Sequence, residues 1–336
     1  MSLARLGMAV MPLDNRRDVL VSVATQADRL GYDLFLQNET WAYDASILLA
    51  EMATRTRRIT LGSGILGVWS RSAGALAMMA ASLHALSGGR FVLGLGASTP
   101  PLTEGLHDVP FVAPIGRLKT TVTQVRALLR GDRIPLAVTA AARPLKLNLP
   151  PVPDLPIYLA ALAEGSLRVA GEVADGWLPF LYPRDRLKDG IALLAEGAAR
   201  SGRDGVRFGV WPTIPTAVAE DPGKAREDAA WFVAFYLTTM GPIYRQSLVR
   251  QGFGRVVDAV LAANSPKFVG AVPPEADVLL DQLTVYGTPA EARERMASWH
   301  AAGADVAVVF LRANLGPEEI TATLEAFCPM LASRGR

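Results

Sequence analysis

Two carboxylates and a tryptophan are the side chains whose types and positions best suit acid–base chemistry in this sequence. Glu39 and Trp41 lie in the polar and aromatic segment of residues 38–44, and Glu104 lies in residues 97–107. Because burial beside an apolar wall raises the pKa of a carboxyl group, either glutamate could donate a proton to a developing negative charge. We therefore predict catalytic roles for all three residues. Surface charge for Glu39 and packing for Trp41 are the alternatives.

The turn Ala163-Glu164-Gly165-Ser166 is the second place where the sequence indicates binding chemistry. It lies between a predicted strand, residues 156–162, and a predicted helix, residues 166–173. Free backbone N–H groups at the N-terminus of a helix, with the helix dipole behind them, form a site for phosphate and other anions. The turn therefore predicts an anion site, with an ordinary N-cap at Ser166 as the alternative.

Residues 59–98 form the unit around which these segments are arranged. Ile59 to Leu66 is an apolar run, residues 76–86 carry apolar side chains at helical spacing, and Phe91 to Leu95 is a second apolar run. A strand, a helix and a strand in succession require parallel strands covered by helices. Both strands end in small residues, where bare backbone would let a flat cofactor lie close: Gly62-Ser63-Gly64 and Gly94-Leu95-Gly96-Ala97-Ser98.

The whole chain shows eight predicted strands alternating with helices, which is the pattern of an α/β fold of the TIM (β/α)8 barrel type. The strands are residues 6–11, 34–37, 59–66, 91–95, 156–162, 176–181, 208–218 and 306–311. We expect a single domain over residues 1–336. Two excursions interrupt it, a proline-punctuated hairpin at 132–153 and a helical insertion at 224–283 that could cover the barrel mouth. Catalytic groups in such a barrel follow the carboxyl ends of the strands, which selects residues 37–44, 63–71, 97–107 and 160–166.

The main alternative architecture is a doubly wound dinucleotide-binding fold. Gly94-Leu95-Gly96 is the only candidate fingerprint, but its sixth position is Thr99 and it lies on the fourth predicted strand. A dinucleotide fingerprint follows the first strand of its unit and carries a third small residue. The pattern therefore favours the barrel.

Composition argues against several classes of protein. The 336 residues carry a formal net charge of +2 without a long basic run, so nucleic-acid binding is not indicated. No stretch reaches the ~18 continuous apolar residues of a membrane span, and the start of the chain is typical of a first strand rather than a signal peptide. Cys328 is alone, which favours a reducing cytoplasm. The three histidines lie far apart without ligand spacing, so we predict no metal site.

Three segments together resemble the luciferase-like flavin and deazaflavin oxidoreductases. They are residues 59–98, with an LSGGR turn and an LGLG strand, residues 156–177 and residues 287–310. Within that superfamily the chain looks most like the coenzyme F420-dependent branch, which includes methylenetetrahydromethanopterin reductase, and the ETWAYDA loop of residues 39–45 is part of that likeness. The resemblance implies a luciferase-like TIM barrel with insertions.

The resemblance also implies which residues hold a cofactor. The turn after the fifth strand would hold the cofactor phosphate. A bulge with a non-proline cis peptide at Ser63-Gly64-Ile65 would back the tricyclic ring, whereas the residues alone also allow a tight strand end. Glu39, Trp41 and Glu104 would face the substrate side. The complete predicted cofactor set is Gln37, Ser63, Gly64, Ile65, Gly96, Ala97, Ser98, Ala161, Leu162, Ala163, Glu164, Gly165 and Ser166.

The functional prediction that follows is hydride transfer between coenzyme F420 and an unidentified small organic substrate. The alternatives are an FMN-dependent monooxygenase and, from a different class, a non-catalytic flavin-binding protein. A Schiff-base aldolase fits poorly, because no lysine lies at the end of a predicted strand. Arg184, Arg186 and Lys188 could meet the anionic tail of F420 by weak, salt-screened attraction. The expected partners are a small-molecule substrate and a second copy of the chain in a homodimer, with neither nucleic acid nor membrane.

Overall fold

The computed structural model describes residues 5–332. In chain order its strands are β1 (Arg5–Val10), β2 (Leu34–Asn38), β3 (Thr60–Gly67), β4 (Phe91–Gly96), β5 (Ile157–Leu159), β6 (Gly176–Trp177), β7 (Gly209–Val210), β8 (Thr213–Val218), β9 (Val285–Gly287) and β10 (Val306–Leu311). Its α-helices are α1 (Arg17–Leu30), α2 (Ala45–Arg55), α3 (Ala73–Leu86), α4 (Pro100–Gly105), α5 (Pro114–Leu129), α6 (Glu164–Val173), α7 (Leu187–Arg200), α8 (Pro222–Thr238), α9 (Pro242–Leu248), α10 (Gly254–Ala263), α11 (Asp277–Leu283), α12 (Pro289–Ala302), α13 (Pro317–Ala326) and α14 (Cys328–Ala332).

The strands form one parallel sheet that closes into a barrel. Their order is β7-β6-β5-β4-β3-β2-β1-β10-β8-β9. β7 and β8 are two parts of one extended segment, of which the first pairs with β6 and the second with β10. The Thr213 N–H also donates to Pro179 O at 3.0 Å, so the residues after β6 are joined to the start of β8 as well. The ring therefore closes with this segment as its seventh strand, and the predicted TIM barrel is confirmed.

Alternation along the strands separates two apolar layers. Leu36 of β2 and Phe310 of β10 lie in the inner layer, whereas Phe35 of β2 and Leu61 of β3 pack in the outer layer against the helices. Successive side chains of a strand point to opposite faces, and a parallel sheet covered by helices buries both of them. This burial on both faces accounts for the nearly continuous apolar runs in the sequence.

Local signals fix the ends of the helices. Asp44 accepts a hydrogen bond from Ser46 N–H at 2.8 Å and caps α2. Thr288 and Glu291 form a capping box at the start of α12, where Glu291 Oε2 accepts from Thr288 N–H at 2.8 Å. Gly31 ends α1 in the left-handed conformation with φ of 92°.

The structure differs from the sequence prediction mainly in the second half of the barrel. The seventh strand is interrupted because Pro212 has no N–H to donate to the ladder. β5 and β6 are shorter than predicted. β9 was not predicted, and it pairs with the end of β8 outside the ring. Strands of two or three residues carry no periodic signal by which a sequence could reveal them.

The two excursions have different outcomes. Residues 132–153 contain no strand among the described residues, and the hairpin excursion there stays a prediction. One backbone hydrogen bond, from Ile134 N–H to Leu145 O at 2.9 Å, joins its two arms. The helical insertion is present as α8 to α11, with breaks at Gly241, Gly252 and Pro273 as the sequence indicated. The division of residues 1–336 into one domain stays a prediction.

Candidate active site

A β-bulge in β3 lies at the carboxyl end of the barrel. Gln37 pairs with Ser63 and Asn38 pairs with Ile65, so Gly64 is an extra residue. A Cβ atom on Gly64 would overlap the side-chain oxygen of Asn38, so the bulge depends on glycine. The Asn38 amide is held in turn, because its Nδ2 donates to Val10 O at 3.0 Å. The predicted bulge is therefore present.

Ser63 fills the gap that the bulge leaves in the ladder with β4. Its hydroxyl accepts from Gly94 N–H at 2.8 Å and donates to Gly94 O at 2.9 Å. Ser63 is fully buried, so its side chain stabilises the strand pair rather than facing the mouth. The predicted cis peptide at this bulge is wrong: within residues 5–332 the cis bond is the one before Pro266.

Glu39 is held in an ion pair with Arg71 at the same end of the barrel. The guanidinium donates to both carboxylate oxygens, at 2.5 and 2.8 Å, and Ala45 N–H donates to Oε2 at 2.9 Å. Arg71 also pairs with Asp44 at 2.8 Å, and the hydrogen bond to Glu39 raises the pKa of Arg71 above its ordinary value. Both carboxylate oxygens of Glu39 are therefore engaged, by Arg71 and by the start of α2.

Trp41 and Glu104 lie at the rim rather than in the interior. Trp41 is 52% exposed. Glu104 is exposed, and its Oε1 accepts from Phe111 N–H at 3.0 Å. The structure therefore places the three predicted catalytic residues at one end of the barrel, Glu39 and Trp41 on the loop after β2 and Glu104 on the short helix α4.

The end of β4 is built from small residues that allow close packing. A Cβ atom on Gly96 would lie 2.9 Å from Ile65 Cδ1, so the end of the Ile65 side chain packs against the bare backbone of β4. Ala97 O accepts from the indole of Trp69 at 2.7 Å, and Ser98 has φ of 60°.

Gln37 of β2 was also predicted to bind the cofactor, but its side chain does not face the barrel interior. It follows Leu36 of the inner layer, so its side chain lies on the helix side, where Oε1 is buried without a partner among the described residues.

The turn before α6 has the features of an anion site. Leu167 N–H makes the first intrahelical bond, to Ala163 O at 2.9 Å, so the preceding N–H groups of residues 164–166 have no acceptor within the helix. Glu164 is exposed and its carboxylate turns to Arg168, at 3.0 Å. Ser166 is not the N-cap. Its hydroxyl accepts from Ala163 N–H at 3.1 Å and donates to Ala163 O at 2.7 Å.

The residues just before this turn are held by contacts from two other elements. Ala161 O accepts from the indole of Trp177 at 2.9 Å. Leu162 O accepts from the hydroxyl of Ser247 at 3.5 Å, and Ser247 belongs to α9 of the insertion. The insertion therefore reaches the loop after β5 and covers part of the mouth.

An aromatic cluster lies where the insertion packs on the barrel. Its members are Phe180, Tyr236, Tyr244 and Phe310. Phe180 follows β6 and lies edge-on to the other three rings, with centroids 4.8 Å from Tyr236, 5.5 Å from Tyr244 and 5.4 Å from Phe310. Tyr236 and Tyr244 are themselves 5.4 Å apart. Neither tyrosine was predicted as a site residue from the sequence, because neither belongs to a motif or lies just after a predicted strand.

Two cavities lie at opposite ends of the barrel. One of about 340 Å³ is at the mouth, between the ends of β1 and β10 and helix α8, and its wall includes Met11, Trp231 and Asn314. The other, of about 240 Å³, is at the amino ends of the strands and includes Tyr158 and Trp211. Ligand sites in this architecture lie at the carboxyl ends of the strands, so the cavity at the mouth is the candidate ligand site.

The basic residues predicted to meet an anionic tail are only partly available. Arg184 contacts Asp185 at 3.1 Å and donates to Asp281 O at 3.1 Å. Arg186 pairs with Asp189 at 3.3 Å, and Lys188 is exposed.

Comparison with known proteins identifies the chain's relatives. The model of the luciferase-like monooxygenase family matches residues 2–306. The chain belongs to the luciferase-like monooxygenase family. A relative in Mycobacterium tuberculosis, assigned by inference as a coenzyme F420-dependent oxidoreductase, is 32% identical, with 84% of this chain and 88% of that protein aligned.

Solved structures of luciferase-like proteins share the fold. The F420-dependent tetrahydromethanopterin reductase of Methanopyrus kandleri superimposes with a TM-score of 0.79 at 20% identity over 100% of both chains. The oxygenating component of 3,6-diketocamphane monooxygenase from Pseudomonas putida, in complex with FMN, gives 0.74 at 17% identity over 98% of both chains.

Two further kinds of feature, a membrane-spanning helix and a metal-binding cluster, were considered for the described part of the chain. Within residues 5–332, no helix is both long and apolar enough to cross a membrane. The same residues contain no cluster of three histidine, cysteine or acidic side chains suited to hold a metal ion.

Proposed function

We propose that this luciferase-like protein transfers a hydride between coenzyme F420 and a small organic substrate at the barrel mouth. The observation that carries the proposal is the anion turn before α6, with free N–H groups and with Glu164 turned away, at the same end of the barrel as the β3 bulge. The relative at 32% identity, whose name includes F420, supports the choice of cofactor. When bound, the deazaflavin supplies two-electron hydride chemistry, and the protein positions it.

The residues that would hold the cofactor form three groups. The turn of Ala161, Leu162, Ala163, Glu164, Gly165 and Ser166 would bind its phosphate through backbone N–H groups. The bulge of Ser63, Gly64 and Ile65 would back the ring. Gly96, Ala97 and Ser98 would border it from β4, and Gln37 would contribute through its backbone rather than its side chain.

The substrate-side residues of the proposal are Glu39, Trp41 and Glu104. Trp41 and Glu104 border the mouth as rim residues. Glu39 acts by holding Arg71 and the start of α2, since both of its carboxylate oxygens are engaged there. The proposal also includes a homodimer, which rests on the resemblance, and a cytoplasmic location, which rests on the single cysteine Cys328.

An oxygen-consumption experiment separates hydride transfer from the monooxygenase alternative. The protein is mixed in air with reduced F420 or with reduced FMN. A deazaflavin passes electrons in pairs and does not readily activate oxygen, so the proposal predicts no protein-dependent oxygen uptake with either cofactor. Fast, protein-dependent oxygen uptake with reduced FMN would favour the monooxygenase and contradict the proposal.

A further inference from the structure

The insertion places two phenol groups across the barrel mouth from the bulge. In the ring of strands, β3 and the β7–β8 segment are separated by three strands on each side. Tyr236 lies on α8, the helix that comes after β8, and Tyr244 lies on α9, the next helix of the insertion. A flat ring backed by the bulge would therefore present its other face to this wall.

The Tyr236 hydroxyl lacks a partner although the residue is buried. Tyr236 is 3% exposed, and within residues 5–332 neither its hydroxyl nor that of Tyr244 makes a hydrogen bond. The buried Tyr32 differs, because its hydroxyl donates to Leu324 O at 2.8 Å. Neither of the two hydroxyl oxygens is fully buried, so a molecule bound beside them could reach them and supply the missing acceptor.

Both phenols are in the protonated form that can donate. Burial raises the pKa of Tyr236 well above its ordinary value, and the nearby Tyr244 raises it further. Burial also raises the pKa of Tyr244 to about 12. The neighbours Phe180 and Phe310 are apolar, so they would not offset the cost of removing a charged substrate group from water. An uncharged acceptor fits them.

We propose that Tyr236, assisted by Tyr244, binds and protonates the oxygen of an uncharged carbonyl substrate. The inference rests on the proposed function. A C–H bond forms when the hydride, with both electrons, reaches the carbonyl carbon from the reduced deazaflavin. The C=O π bond opens, and the Tyr236 proton moves to the oxygen, which gives an alcohol and a phenolate. The phenolate regains its proton from water by way of Tyr244, which is partly exposed.

A pair of probes that differ in one oxygen atom tests this site. Acetophenone and ethylbenzene share a ring and a two-carbon side chain, but only the ketone has an acceptor. Each is titrated into the full-length protein with oxidised F420, and binding is followed by the cofactor's fluorescence. The wild type should prefer acetophenone by about 10-fold or more, because a site with a hydrogen-bond donor discriminates against an analogue that lacks the acceptor.

Single hydroxyl deletions assign the preference to residues. Tyr236→Phe should reduce the ketone preference to within about 2-fold and Tyr244→Phe should reduce it partly, with F420 affinity unchanged. Tyr158→Phe is the matched control, because it removes a buried hydroxyl at the opposite end of the barrel, and it should keep the preference. Oxidation of reduced F420 by acetophenone should slow ~100-fold in Tyr236→Phe.

The possible failures are distinguishable. An intact ketone preference in Tyr236→Phe, or no preference in the wild type with F420 bound, would overturn the tyrosine site and leave the proposed function in place. Absence of F420 binding to the wild type would overturn both.

Discussion

Arg71 holds two acidic side chains at once, and this arrangement determines what Glu39 can do. The guanidinium is 17% exposed, with Glu39 on one side and Asp44 on the other. Burial alone would raise the pKa of Asp44, but hydrogen bonds from Ser46 and Arg71 outweigh it and lower that pKa. The three side chains therefore form a charged clamp that joins the β2 loop to the segment after β3.

Replacing Glu39 tests the clamp. Glu39→Gln should lower the free energy of unfolding by about 1.5–3 kcal/mol, because it removes a charge-assisted pair and leaves Arg71 with only the more exposed Asp44. Glu104→Gln is the comparison, since Glu104 is exposed, and it should change stability by less than about 0.5 kcal/mol. Urea unfolding of both variants measures the difference. Unchanged stability in Glu39→Gln would contradict the clamp and restore Glu39 as a free acid.

The bulge in β3 is a feature of the strand backbone, and it is also the part of the barrel proposed to back the cofactor ring. Gly64 is the inserted residue, Asn38 occupies the space where its side chain would be, and Ser63 pairs with Gly94 across the gap. These contacts tie β2, β3 and β4 together at their carboxyl ends. A change at Gly64 should therefore affect both stability and cofactor binding.

The bulge prediction is tested with Gly64→Ala. The added methyl group would overlap Asn38, so we expect a loss of about 1–3 kcal/mol in stability and weaker F420 binding. Gly105→Ala is the control, because a Cβ atom there meets nothing within 4 Å. Thermal unfolding and F420 fluorescence titration give the two readouts. A Gly64→Ala protein that matches the control in both would show that the bulge is not needed.

At the scale of the whole molecule, the sequence predicted the parts of the barrel that have local signals. Residues 59–98 alternate between apolar runs and a helical pattern, and the predicted strand, helix and strand are confirmed there as β3, α3 and β4. The ion pair between Glu39 and Arg71 was missed, because it joins residues 32 apart and no periodicity encodes such a contact. Tyr236 and Tyr244 were missed for a related reason: their environment exists only once the insertion folds back on β6 and β10.

In the proposed function, the turn before α6 holds the anionic group of F420. The most direct measurement is a fluorescence titration of F420 and of FMN into the wild type, Gly165→Asp and Gly165→Asn, at low and high salt. Asp and Asn are nearly isosteric, and a Cβ atom at Gly165 meets only Ile115, at 3.5 Å, so the two variants differ in charge.

We predict that the wild type binds F420 more tightly than FMN and that the preference narrows as salt rises. Gly165→Asp should weaken F420 binding by ~1–2 kcal/mol relative to Gly165→Asn, because its carboxylate faces the bound anion. Equal F420 affinity in the two variants, or tight FMN binding without F420 binding by the wild type, would contradict the claim.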